Sequence, residues 1–165
     1  MAVSYKDLPT RKPNRLASFD YSVMATYFIT ICTKQRKRLL WNSPVGAIID
    51  RPQVQLSPYG EIVDKGIHAI SVHYPMILVE RYTILPDHVH LLLRIVDRDG
   101  RSVIAPTISS VIRLFKGSVT KQCGESIWQK GFYDHVVRNQ EDLAEISEYI
   151  ANNPIKWMEK HFTER

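Results

Sequence analysis

Two histidines separated by one residue, His88 and His90, open an apolar run with the sequence HVHLLLRI. Successive side chains of a β-strand alternate between its faces, so residues two apart point the same way. Two imidazoles at that spacing can bind one cation, with Val89 turned to the opposite side. The pattern predicts a metal-binding pair on a strand, although two partly exposed histidines that hydrogen bond to neighbours would give the same spacing.

A tyrosine and an asparagine, Tyr149 and Asn153, lie four residues apart in the last helical segment. That spacing places them on one helix face, which we expect to lie opposite an apolar stripe of Leu143, Ile146 and Ile150. An exposed phenol can act as a nucleophile, and an amide oxygen can bind a hard divalent cation. The alternative is a tyrosine that packs at a rim and an asparagine that ends the helix.

These groups together would suit phosphodiester chemistry. A cation bound by two imidazoles and an amide keeps coordination positions for a phosphate oxygen. A phenol titrates near pH 10 and is a poor nucleophile until it is activated. Its attack on phosphorus would give a phosphotyrosine ester, which a DNA hydroxyl can reverse without ATP. The sequence offers no evident general base.

Length and composition indicate one soluble globular domain. The 165 residues are 44% hydrophobic and 24% charged, which is enough to bury a core without disulfides. No apolar run approaches the roughly 20 residues that span a bilayer, and the first residues lack a signal peptide. The two cysteines, Cys32 and Cys123, have no CxxC spacing, which favours a reducing cytoplasm and argues against a disulfide scaffold. The lack of a bilayer-spanning apolar run predicts no membrane partner.

The formal charge of +5 is mild evidence for a polyanionic partner. Solvated surface is the plainer explanation for any one basic cluster. As candidate DNA-binding residues that contact phosphates we name Arg15, Lys34, Arg36, Arg113, Lys116 and Arg138.

The first half of the chain predicts a strand, a helix and a strand pair, after a polar N-terminal arm at about residues 1–20. Residues 26–33 are β-branched and aromatic, as is typical of a strand. Ser57 and Pro58 favour a helix start, and Pro75 ends that helix. Residues 76–85 and 89–96 predict two antiparallel strands or one long bent pair, with the bend at 85–87.

The second half predicts two more helices around a short strand. Thr107 can cap a helix that ends at Cys123 and Gly124. Residues 127–138 indicate strand and loop. Asn139 can cap a last helix that should end at 153–154, because a residue before proline disfavours helical geometry. The order predicts an α+β domain, residues 1–165, with an antiparallel sheet and helices packed on one side.

Four segments together carry a family resemblance. They are DYSVMATYFITICTKQRKRLLW, ILPDHVHLLLRI, ISSVIRLFKGSVTK and IWQKGFYDHVVRNQEDLAEISEYIANNPIKW, in this order along roughly residues 15–158. The chain resembles the HUH-type one-tyrosine transposases, and within them it is most similar to the REP-associated tyrosine transposases. An asparagine one turn after the tyrosine is typical of the REP-associated branch, whereas the insertion-sequence branch has glutamine there.

The resemblance implies roles for particular residues. His88 and His90 would be metal ligands, Tyr149 the nucleophile, and Asn153 the residue that completes the metal site. It also implies a ferredoxin-like, RRM-like sheet, Mg²⁺ or Mn²⁺, and single-stranded DNA folded into hairpins. We expect a bacterial cytoplasmic protein, bound to the nucleoid through DNA, as a monomer or as a homodimer that exchanges the tyrosine helix.

Two other classes of function fit parts of the pattern. A non-catalytic RRM-like module would bind bases on exposed sheet aromatics and need no metal. A metal-dependent nuclease would use water and leave no protein on the DNA. Tyr133, beside Asp134 and His135, is a rival nucleophile, but the resemblance assigns it to a structural block.

Overall fold

The computed structural model describes residues 25–42, 54–96 and 106–162. Its strands are β1 (Thr26–Cys32), β2 (Ile77–Ile84), β3 (His88–Ile95) and β4 (Tyr133–Val136). Its helices are α1 (Pro58–His73), α2 (Ile108–Cys123) and α3 (Gln140–Phe162). The predicted polar arm lies outside the described residues.

The sheet has four strands in the order β2-β3-β1-β4, and the three strand pairs are antiparallel. With α1 between β1 and β2, and α2 between β3 and β4, the chain follows the β-α-β-β-α-β path of ferredoxin-like domains. The predicted α+β class is therefore confirmed. The bend expected at 85–87 is the tight connection between β2 and β3.

Each helix begins directly after the capping residue that the sequence indicates. The hydroxyl of Ser57 accepts a hydrogen bond from the backbone N–H of Gly60 at 3.0 Å. Thr107 accepts one from Ser110 at 3.2 Å, and the Asn139 side chain accepts one from the N–H of Asp142 at 2.9 Å. These bonds pair donors that a helix leaves unsatisfied in its first turn.

The helices cover both faces of the sheet, so the predicted one-sided packing was wrong. One face, which carries Ile29, Leu91 and Leu93, packs with α1 and α2 in the main core. The other face packs with α3, where Leu92 contacts Ile146 and Ile150. Alternation along β1 and β3 makes both faces apolar enough to bury. Because β3 is buried on both sides, its apolar run is nearly continuous, and this pattern is typical of a strand with two covered faces.

Helix α3 continues past Pro154, so the predicted end at 153–154 was also wrong. A proline inside a helix removes one backbone hydrogen bond and costs about 3 kcal/mol. Beyond it, Trp157 is buried against Trp41, with ring centroids 5.4 Å apart, and Arg38 lies 5.0 Å from its ring. Burying about 200 Å² of indole contributes about 5 kcal/mol, which offsets the proline.

No helix in these described ranges is both long and apolar enough to cross a membrane.

Candidate active site

The two histidines of β3 form a buried pair on the face that α3 covers. Their Nε2 atoms lie 3.1 Å apart, and His90 is only 4% exposed. Two adjacent ligands on an octahedral ion, each at about 2.1 Å, are about 3 Å apart. The distance between the two Nε2 atoms therefore matches that between two adjacent ligands of one ion. Val89 points to the main core, as alternation predicts.

The proton positions on these rings follow from their partners. Asp87 Oδ1 lies 2.6 Å from His88 Nδ1. A carboxylate only accepts, so His88 Nδ1 donates, and in the neutral ring Nε2 carries a lone pair. Thr30 Oγ1 lies 2.9 Å from His90 Nδ1. Because a hydroxyl both donates and accepts, Thr30 suits either tautomer of His90.

Burial is the main reason that His90 stays neutral. Burial, the neighbouring His88 and the charge of Arg36 together lower the pKa of His90 to about 3. At neutral pH its ring therefore offers a lone pair rather than a charge, as a metal ligand must.

Arg36 approaches the same cluster from the turn after β1. Its Nε lies 3.2 Å from Asp87 Oδ2, and an Nη donates to Cys32 Sγ at 2.8 Å. Burial acts to raise the pKa of Asp87, but the hydrogen bond from His88 and the charge of Arg36 outweigh it and lower that pKa. Asp87 is thus a carboxylate held between a guanidinium and an imidazole.

The backbone that presents Arg36 is strained. Gln35 and Arg36 have φ angles of 56° and 55°, in the left-handed region that non-glycine residues rarely occupy. Such geometry persists where surrounding contacts compensate for it. Here the contacts are those of the Arg36 guanidinium with Asp87 and Cys32.

Tyr149 lies over this histidine pair. Its ring centroid is 5.3 Å from that of His90 and 6.1 Å from that of Phe28, which itself stacks on His90 at 5.1 Å. The side chain is 45% exposed. The imidazoles are themselves buried, so the half-exposed phenol is the part of this cluster that solvent reaches directly.

Asn153, one helical turn after Tyr149, is buried instead of lying opposite the apolar stripe as predicted. It is 8% exposed and continues the buried row of Ile146, Ile150 and Trp157. Its side-chain Nδ2 has no hydrogen-bond partner among the described residues. The amide oxygen and nitrogen are interchangeable by a flip of the side chain, so this end of Asn153 can present either atom.

The donor set fits a divalent ion only if the amide takes part. Within residues 25–42, 54–96 and 106–162, no group of three or more His, Cys, Asp or Glu is placed to hold a metal ion. Two imidazoles and an amide oxygen form a mixed nitrogen and oxygen donor set, which binds first-row divalent ions such as Mn²⁺. The unpaired buried amide of Asn153 is the observation that favours this set.

The predicted phosphate contacts are spread over several elements. Arg36 borders the histidines, whereas Lys34, Arg113 and Arg138 are exposed on the turn after β1, on α2 and after β4. Lys116 is less available, because its Nζ donates to the carbonyls of Gln129 and Gly131 at 2.7 and 2.8 Å. Arg15 lies outside the described residues.

Sequence reasoning missed three supporting residues: Asp87, Thr30 and Phe28. Asp87 precedes the histidines directly and could have been named from adjacency. Thr30 and Phe28 face His90 and Leu92 only because of the register between β1 and β3. No local pattern encodes that register.

A shallow apolar groove between α1 and α2, lined by Ile70, Leu114 and Phe115, lies on the other side of the sheet. None of the candidate catalytic or metal-binding residues lines it.

Residues 22–153 match the sequence model of the family described as transposase IS200 like. The chain belongs to the IS200-like transposase family. The matched range includes the histidine pair, Tyr149 and Asn153. The recognition made from the sequence segments is thereby confirmed, whereas the role of each residue stays a prediction.

Two relatives of this IS200-like transposase illustrate the range of similarity. An uncharacterized protein of Haemophilus influenzae is 30% identical over 167 residues, which cover 89% of each chain. A REP-associated tyrosine transposase of Escherichia coli is 32% identical over 79 residues, or 47% of this chain and 44% of that protein. The second alignment thus spans less than half of the named relative.

Among solved structures, the IS200-like transposase is similar to a REP-associated tyrosine transposase bound to a REP hairpin. The TM-score is 0.62 at 23% sequence identity, over 86% of this chain and 74% of that one. This likeness supports the fold, namely the four-stranded antiparallel sheet with three helices packed on it.

Proposed function

We propose that this IS200-like transposase cleaves and rejoins single-stranded DNA beside a hairpin through Tyr149. His88, His90 and Asn153 would bind the divalent metal ion. The observation that carries the proposal is the 5.3 Å separation between the rings of Tyr149 and His90. An exposed phenol against a buried imidazole pair is the arrangement that a tyrosine nucleophile beside a metal site requires.

The proposed step exchanges one phosphate ester for another. The Tyr149 oxygen forms a bond to phosphorus while the bond from phosphorus to the 3′ oxygen of the upstream strand breaks. The phenol loses its proton, the departing 3′ oxygen gains one, and the downstream strand stays on the protein as a 5′-phosphotyrosine. Attack by another 3′ hydroxyl reverses the exchange and rejoins DNA.

The residues around the site prepare it for this step. Asp87, which pairs with Arg36, accepts a hydrogen bond from His88 Nδ1 and so leaves the Nε2 lone pair of His88 for the metal ion. Thr30 orients the ring of His90. Held by the two imidazoles and Asn153, a Mg²⁺ or Mn²⁺ ion would polarise a phosphate oxygen and offset developing negative charge. Phe28 meets the Tyr149 ring edge-on and limits where the phenol can point.

Hairpin DNA is the proposed partner because one solved relative is bound to a REP hairpin. Exposed cations would contact its phosphates, and we name Lys34, Arg36, Arg113 and Arg138, with Arg15 of the N-terminal arm as a further candidate. Such contacts raise affinity without selecting sequence.

The test is covalent capture of DNA. A hairpin oligonucleotide with single-stranded flanks, labelled at its 3′ end, is incubated with protein and Mg²⁺ or Mn²⁺ and run on a denaturing gel. We expect a labelled band at the protein's size, lost with a chelator and lost in Tyr149→Phe. Tyr74→Phe, which removes the same oxygen from a tyrosine at the end of α1, should leave the band.

The outcomes separate the competing functions. An adduct in Tyr149→Phe would show that the nucleophile is misassigned. Nicked DNA with no attached protein would favour the water-using nuclease. Tight binding without cleavage at any metal concentration would favour the RRM-like binding module.

A further inference from the structure

A second exposed tyrosine, Tyr133, lies on the same face of the sheet as the histidine pair. In the β1–β4 register Tyr133 pairs with Thr30, and in the β1–β3 register Thr30 pairs with His90. Directly paired residues project from the same face. Tyr133, Thr30 and His90 therefore form one row across the sheet, and Tyr133 is about 10 Å, or two strand spacings, from His90.

Helix α3 leaves the Tyr133 ring open. The neighbouring His135 contacts α3 through its Nε2, which lies 2.8 Å from Asp142 Oδ2, although the His135 side chain is itself 42% exposed. Tyr133 is 54% exposed, the most exposed aromatic side chain among the large hydrophobic residues of the described ranges. An exposed aromatic ring beside a candidate active site is a surface on which a ligand with a flat apolar face can stack.

The chain before Tyr133 is held in place. Lys116 of α2 donates to the carbonyls of Gln129 and Gly131, and the N–H of Gln129 donates to the carbonyl of Cys32 at 2.9 Å. Gly131, at φ 73°, makes the turn that brings the chain back to β4. The ring of Tyr133 is therefore presented by a fixed turn, so little ordering entropy would be lost when a ligand stacks on it.

The surroundings do not equip Tyr133 as a nucleophile. Asp134 pairs with Ile29, whose side chain is in the main core, so Asp134 points to the opposite face. The His135 ring nitrogen that faces α3 is engaged by Asp142. Two exposed cations, Lys130 and Arg138, flank β4 at its two ends. A flat ring between cations suits a base and its phosphates.

We propose that Tyr133 is a stacking platform for an unpaired base of the DNA strand that leads to the active site. The inference rests on the proposed function for the identity of the ligand, and it adds a binding site that holds the strand beside the scissile phosphate. Aromatic residues on exposed sheets bind single-stranded nucleic acid in this way. Stacking needs the ring and not the hydroxyl.

The test uses base stacking itself as the readout. A set of hairpin oligonucleotides with single-stranded flanks carries the fluorescent base 2-aminopurine at one flank position each. Binding is measured with Tyr149→Phe protein in chelator, so that no cleavage occurs. We expect fluorescence quenching at one or two neighbouring positions with Tyr133 present, and loss of that quenching in Tyr133→Leu with affinity reduced about tenfold or more.

Three further variants separate loss of the aromatic ring from other effects of the substitution. Tyr133→Phe and Tyr133→Trp should retain quenching and affinity, since they keep an aromatic face, whereas Leu keeps only apolar volume. Unchanged melting temperatures exclude misfolding as the cause, and Tyr133→Ser provides a second non-aromatic variant if Tyr133→Leu fails to fold. Equal loss in Tyr133→Phe and Tyr133→Leu, or no quenching at any position, would overturn the inference.

The failure of this inference can be distinguished from failure of the proposed function. Adduct formation through Tyr149 with no stacking signal would remove only the role of Tyr133. A stacking signal without any adduct in the unsubstituted protein would remove the catalytic proposal and leave the binding site.

Discussion

Asp87 and His88 are adjacent in sequence, and their side chains are joined by a 2.6 Å hydrogen bond that determines which nitrogen of His88 is free. Because the carboxylate accepts a hydrogen bond from Nδ1–H, which keeps its proton, the Nε2 lone pair is the one available to a cation. The bond thus links the turn between β2 and β3 to the candidate metal site. We therefore expect metal affinity to depend on Asp87, a residue that is not itself a proposed ligand.

We expect Asp87→Ala to weaken Mn²⁺ binding by about 10- to 100-fold, since residues that orient a ligating histidine have effects of that size. Isothermal titration calorimetry with Mn²⁺ would measure it. Glu61→Ala removes an exposed carboxylate from the first turn of α1 and should bind Mn²⁺ as the unsubstituted protein does. Equal affinity in Asp87→Ala would contradict the assigned role.

The lowered pKa of His90 predicts acid sensitivity of the metal-free protein. An unfolded histidine titrates near pH 6.5, whereas the pKa of folded His90 is about 3. Between these values the unfolded state binds more protons, so the free energy of unfolding falls as pH falls from about 6.5 to about 3, by a few kcal/mol. Denaturant titrations in chelator at several pH values would measure this fall.

The matched variants for the pH experiment are His90→Gln and His73→Gln. His90→Gln removes the buried ring and should flatten the dependence on pH, whereas His73 is exposed at the end of α1 and its loss should not. A steep dependence that persists in His90→Gln would assign the acid sensitivity to another group.

Trp157 should stabilise the C-terminal half of α3. Trp157→Ala removes its contacts with Trp41 and Arg38, and also the stacking on His161 at 4.1 Å. We expect a loss of about 3 kcal/mol in the free energy of unfolding, with faster amide exchange after Pro154. Ile155→Ala, at a half-exposed position of the same turn, is the control and should change either quantity little.

Lys116 and Arg138 should differ in how they act. Lys116 donates to two backbone carbonyls, so Lys116→Met should lower the free energy of unfolding by about 2 kcal/mol. Arg138 is exposed, so Arg138→Ala should leave stability unchanged. It should instead reduce the slope of log affinity against log salt by about 0.7 to 0.9, as expected when one phosphate contact is lost. A change in salt slope for Lys116→Met and a loss of stability for Arg138→Ala would instead make Lys116 the phosphate contact and Arg138 the structural residue.

Local sequence patterns correctly predicted the helix starts and the shared face of the two histidines. They failed where contacts between residues far apart in the chain determine the structure. Ser57, Thr107 and Asn139 begin helices because each hydroxyl or amide bonds within three residues of itself. The HVH spacing placed two imidazoles on one face for the same local reason. Pro154 misled because the burial of Trp157 is set by Trp41, more than a hundred residues earlier in the chain.

The site shows the same division. The hydrogen bond between His88 and Asp87 joins adjacent residues and could be predicted from the sequence, whereas the hydrogen bond between His90 and Thr30 could be predicted only if the register of the strands were known. Asn153 was assigned to the wrong face because its helical spacing fits both Tyr149 and the buried row that ends in Trp157. Only the packing of α3 on the sheet distinguishes the two.

Helix α3 is attached near both ends to the sheet and turns of its own chain, by the contact of Asp142 with His135 and by Trp157 with Trp41. We therefore expect the phenol of Tyr149 to act with the imidazoles of its own polypeptide. One molecule should then suffice for one cut. Mixing protein that lacks the histidines with protein that lacks the phenol should restore no cleavage, because neither can lend the missing half to the other.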